Sequence, residues 1–130
     1  MVVIVPVGPL LKINAVVGLV TGIGLVLAPT IVLNILGATT DPTGTNFARL
    51  YGAELIGFNV ATWLASSGDA RSQRMLVLGH VANESLTAVI AVIAAGSGLG
   101  DVLLWGVALL AGAFALAFSV VATQRSWWRA

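Results

Sequence analysis

Four long apolar segments, separated by short polar stretches, dominate the chain. A helix needs roughly 20 apolar residues to cross the hydrocarbon core of a bilayer, and the segments at about 9–28, 47–65, 73–96 and 102–123 have this length. A shorter apolar stretch at about 29–37 begins with proline and ends with glycine, which predicts a short helix at the membrane interface. The pattern predicts a single all-α domain over residues 1–130, an integral membrane four-helix bundle in up-down-up-down order.

The basic residues predict the orientation of this bundle, because loops on the cytoplasmic side are enriched in lysine and arginine. Arg49 alone falls on the opposite side. The basic residues expected on the inner side are Lys12, Arg71, Arg74, Arg125 and Arg129. Both termini are therefore predicted to be cytoplasmic, in a multi-pass protein of the cell's inner (plasma) membrane.

Composition supports the membrane interpretation and limits the chemistry. Hydrophobic residues make up 58% of the chain and charged residues 8%, whereas a soluble domain is about one-quarter charged. A net charge of +1 argues against a nucleic-acid partner. The absence of cysteine excludes disulfides and iron–sulfur clusters, and a single histidine excludes a multi-histidine metal site within one chain. We therefore expect no metal and no cofactor.

The third segment has a polar face in its apolar sequence. On a helix, which turns about 100° per residue, His80, Asn83, Glu84 and Thr87 fall within one arc. His80 is the chain's one histidine, and Glu84 lies one turn after it. Ionisable side chains are expensive inside a membrane and usually functional. This segment is therefore where chemistry is expected.

A second carboxyl, Glu54, lies well inside the second segment. If the two segments are antiparallel, a rise of about 1.5 Å per residue places Glu54 and Glu84 at a similar depth. Two carboxyls in a dry site do not both ionise easily, and His80 could share their proton. The sequence thus predicts an acid/base site with Glu54, His80 and Glu84 as catalytic residues.

Five further residues form the predicted substrate-binding set: Asn83, Tyr51, Asn59, Phe58 and Arg49. Asn83 would orient a substrate oxygen, and Tyr51 and Phe58 would wall an apolar pocket on the Glu54 side of the helix. A structural alternative stays open. Polar side chains in membrane bundles often only join helices, and the carboxyls would then form a Glu–His or Glu–Arg network with Arg49 as the cation.

The stretch RLYGAELIGFNVATWLA, with Arg49, Gly52 and Gly57, precedes a third segment with an inward His80. This arrangement resembles small four-helix bacterial membrane proteins of the DoxX-like kind and related families of unknown function. The resemblance implies the four-helix fold. It implies no particular activity, because that group is functionally heterogeneous.

The leading hypothesis is an intramembrane acid/base pocket for a lipophilic small molecule. If the protein is an enzyme, the reaction needs only protons, as in a cofactor-free isomerase, cyclase or epoxide hydrolase. One alternative is a proton-coupled small transporter working as a homodimer, although its first segment carries Lys12 and no acid. Another is an accessory subunit of a larger membrane complex. The expected partners are membrane lipids and the small molecule.

Overall fold

The computed structural model describes residues 6–124, and every regular element in that range is an α-helix. The five helices are α1 (Val7–Leu27), α2 (Pro29–Ile35), α3 (Pro42–Ala65), α4 (Ala70–Gly96) and α5 (Val102–Thr123). Arg125 and Arg129, which contributed to the predicted orientation, lie outside the described residues.

The prediction of four membrane-spanning helices is wrong. Among the described residues, three helices are long and apolar enough to cross a membrane: α1, α4 and α5. Helix α3 has 24 residues, which is long enough, but Asn46, Arg49, Glu54 and Asn59 lower its apolar content. Two further predictions required four crossings: the up-down-up-down membrane topology and the placement of both termini in the cytoplasm. They are therefore wrong as well. Three such helices still indicate a membrane protein.

Aspartates begin the three helices that follow the loops. The carboxylates of Asp41, Asp69 and Asp101 accept hydrogen bonds from the backbone N–H groups of Gly44, Ser72 and Leu103, at 2.7, 2.7 and 2.8 Å. These bonds satisfy N–H groups that have no partner within the helix. The bonds from Ser72 also lower the pKa of the Asp69 carboxyl.

The long helices pack as two antiparallel pairs, α1 with α3 and α4 with α5. Glycines bring α1 and α3 together: a Cβ atom added to Gly22 would lie 2.8 Å from the Gly52 carbonyl oxygen, and one added to Gly52 would lie 2.8 Å from the Gly22 oxygen. Small residues allow such close approach of membrane helices. The contact fixes how α3 is rotated against α1, and so decides which α3 side chains face the interior.

The two pairs meet through larger side chains. At one end of their interface, five buried residues form an apolar cluster: Leu11, Val77, Phe114, Phe118 and Val121. Leu11 comes from α1, Val77 from α4 and the others from α5, so the cluster joins the pairs. The polar site lies beside this cluster.

We predict that Gly22→Ala and Gly52→Ala each lower the free energy of unfolding, because a methyl group would force the α1 and α3 backbones apart. The expected loss is about 1–3 kcal/mol. Thermal unfolding of the purified protein in detergent measures it. Gly57→Ala is the matched control on α3, since an added Cβ there has no neighbour within 4 Å. Equal behaviour of Gly52→Ala and Gly57→Ala would contradict the close contact.

Candidate functional site

His80 is held between aromatic rings from two other helices. Its side chain is buried, and its ring stacks on Phe118 of α5, with centroids 4.7 Å apart and planes at 11°. On the other side, Phe58 of α3 lies tilted at 45°, with a centroid separation of 4.6 Å. The two rings leave the imidazole little freedom to turn. Its two nitrogen atoms therefore have fixed surroundings.

Thr62 determines which nitrogen of neutral His80 carries the proton. The Thr62 hydroxyl donates to the Phe58 carbonyl oxygen at 2.9 Å, and its oxygen lies 2.9 Å from His80 Nε2. Since that hydroxyl proton is already used, the Thr62 oxygen must accept the bond from Nε2–H. In the neutral imidazole, Nδ1 is then an unprotonated acceptor.

Glu84 lies one turn from His80 and is held by α1. Its Oε1 atom accepts a 2.7 Å hydrogen bond from Asn14 Nδ2 and lies 3.8 Å from His80 Nδ1. The longer separation exceeds a hydrogen bond, so Nδ1 has no partner among the described residues. Because Oε1 accepts from Asn14, a proton on a neutral Glu84 would occupy Oε2. The site thus places a carboxyl group beside an imidazole.

A cavity of about 150 Å³ lies between the two helix pairs at this level. Its size matches that of a cavity able to hold a molecule such as benzene. Five of the predicted site residues line it: His80, Glu84, Asn83, Tyr51 and Asn59. Most of the remaining wall is apolar and includes Leu55 of α3 and Phe114 of α5. The arrangement can enclose a small, mainly apolar molecule against a few polar groups.

Three predicted residues do not line this cavity. Glu54 is exposed, so the expected meeting of Glu54 with His80 and Glu84 is not found. The reason is rotational: Gly52 faces α1, and two further residues turn the helix by about 200°, which directs Glu54 away. Arg49 is also exposed and contacts Asn46 at 3.5 Å. Phe58 packs against the His80 ring instead of the cavity.

The structure adds residues that the sequence reasoning did not place in the site. Asn14 of α1 is not among the predicted site residues, and it binds Glu84. Thr62 of α3 is not among them either, and its hydroxyl oxygen contacts His80. The sequence contains a pattern that indicates Thr62, because Asn59, Thr62 and Ser66 follow each other at helical spacing. In the structure all three are buried. A buried polar stripe of this kind indicates the inward face of α3.

Within the described residues, no group of three His, Cys, Asp or Glu side chains could hold a metal ion. Comparison with known proteins adds no assignment: no family model, no curated protein and no solved structure matches the chain. Any function must therefore be argued from the geometry of the pocket.

We predict that neutral His80 carries its proton on Nε2. Because the chain has one histidine, ¹⁵N-histidine labelling gives a single pair of ring-nitrogen signals, provided that the purification tag contains no histidine. The expected spectrum has a protonated Nε2 and an unprotonated Nδ1. Thr62→Val removes the acceptor of Nε2–H and should shift the tautomer balance. A neutral ring with its proton on Nδ1 in the wild type would refute the assignment.

Proposed function

We propose that this chain is a multi-pass protein of the cell's inner (plasma) membrane whose pocket binds a lipophilic small molecule and exchanges a proton with it. Glu84 and His80 would exchange the proton. The observation that carries the proposal is the placement of Glu84 Oε1 beside the unpartnered Nδ1 of His80, at the wall of a cavity. Three apolar helices support the membrane setting.

The cost of burying these groups supports a functional role over a structural one. An ionisable residue inside a membrane costs several kcal/mol on the milder scales, whereas a bond between polar side chains of membrane helices contributes about 0.6 kcal/mol on average. Asparagine and threonine would join the helices more cheaply. A structural network would also not be expected to leave His80 Nδ1 without a partner.

The chemistry that fits is proton transfer without a cofactor. A neutral Glu84 can give a proton from Oε2 to a substrate atom, and His80 Nδ1 can take one from a neighbouring atom. Such an exchange, with Glu84 as general acid and His80 as base, would serve an isomerase or a cyclase. With a water molecule as nucleophile, it would open an epoxide. Asn83 and Tyr51 would position the substrate from the cavity wall.

Aliphatic side chains exposed on the outside of the bundle fit contact with membrane lipids. Val20, Leu27, Leu109 and Leu116 are each at least two-thirds exposed. This exposure is natural in lipid, which solvates apolar side chains as well as a protein interior does.

We predict that Glu84→Gln weakens the binding of small molecules in the pocket while the fold is retained. The glutamine oxygen can still accept from Asn14, but the amide cannot act as an acid. The binding of 4-fluorophenol, followed by ¹⁹F NMR in detergent, should weaken about tenfold or more, because an amide N–H is a weaker donor than the O–H of a carboxylic acid. The melting temperature should change little, because no buried charge is left unpaired.

Glu54→Gln is the matched control, since it makes the same chemical change on an exposed carboxyl outside the cavity. It should leave both binding and stability at wild-type values. If Glu84→Gln instead lowers the stability and leaves binding intact, the network is structural and the proposed function is wrong.

A further inference from the structure

Two buried side-chain atoms, on residues that line the cavity, have no hydrogen-bond partner among the described residues. They are Asn59 Oδ1 and His80 Nδ1, on residues that are 3% and 1% exposed. Leaving a buried polar atom unpaired is costly, so such atoms call for an explanation. We propose that the small molecule bound in this pocket carries a hydroxyl head group, which donates its one proton to Asn59 Oδ1, on a compact apolar body. This inference rests on the proposed function.

The neighbours of both atoms fix them as acceptors. Asn59 Nδ2 donates to the Leu55 carbonyl oxygen at 2.8 Å. Since a carbonyl can only accept, the amide orientation is determined, and its oxygen is the end left free. His80 gives its Nε2 proton to Thr62, which leaves Nδ1 as the acceptor. Neither free atom can become a donor without losing an existing bond or gaining a proton.

Glu84 selects a hydroxyl among the groups that could donate. A ketone or an ether accepts only, and would leave Asn59 and His80 unpaired. An ammonium group donates but offers no lone pair to the proton of a neutral Glu84. A hydroxyl group donates and accepts through one atom, so it satisfies an acceptor and the acid together.

The rest of the lining limits the body of the ligand. Apolar side chains from three helices face the cavity, including Val17, Leu55, Val107 and Phe114. The volume of about 150 Å³ has room for a body near the size of one benzene ring. A longer ligand would have to extend beyond this cavity, past the partly exposed Tyr51.

Three probes with one body test the head-group preference: 4-fluorophenol, 4-fluoroanisole and 4-fluorotoluene. Each is titrated by ¹⁹F NMR against the wild-type protein in detergent micelles. Ala111→Leu and Val107→Phe place larger side chains on the cavity wall. The signal change that remains in these variants measures how much of each probe enters the micelle instead of the cavity. We expect 4-fluorophenol to bind about tenfold or more tightly than the other two, because only it supplies a donor.

Asn59→Leu should weaken 4-fluorophenol about tenfold and leave 4-fluorotoluene nearly unchanged. Asn46→Leu is the matched control, since it makes the same change on an exposed asparagine of α3 that does not line the cavity. If Asn59→Leu does not fold, the comparison of the three probes on the wild-type protein still tests the preference for a hydroxyl head group. Equal binding of all three probes overturns the hydroxyl preference and leaves the pocket standing. No saturable binding of any probe overturns the proposed function itself.

Discussion

The hydrogen bond between Asn14 and Glu84 is the contact on which the arrangement of the two helix pairs most depends. It joins α1 to α4, across an interface where the backbones do not approach closely. Two more side chains of α4 reach α3: His80 bonds to Thr62, and Gln73 Nε2 donates to the Ser66 carbonyl oxygen at 3.1 Å. In apolar surroundings, where no hydrophobic effect drives helices together, such bonds fix how pairs associate.

The same division into pairs explains why a cavity exists. Gly22 and Gly52 allow α1 and α3 to touch, while α3 meets α4 through larger side chains, such as the rings of Phe58 and His80. Leu11 and Val77 fill the interface at one end, whereas about 150 Å³ of space is left beside Glu84.

The polar face of α4 could be predicted from the sequence. The rotation of α3, which decides which of its side chains face α4, could not. His80 and Glu84 lie four residues apart in an apolar segment, so periodicity alone places them on one face. The predicted position of Glu54 rests on its depth alone, which follows from counting residues along the helix. Its rotation about the helix axis depends on the contact between Gly22 and Gly52, and sequence spacing does not reveal that contact. Arg49 and Glu54, which do not line the cavity, also lower the apolar content of α3.

The surroundings of Glu84 and His80 are set by two other helices. Asn14 of α1 donates to Glu84 Oε1, and the Thr62 hydroxyl oxygen of α3 lies 2.9 Å from His80 Nε2. Glu84 Oε1 lies 3.8 Å from His80 Nδ1, so the two groups face each other without a direct hydrogen bond. A polar group that enters the cavity would therefore meet a carboxyl and an imidazole whose positions the helices already fix.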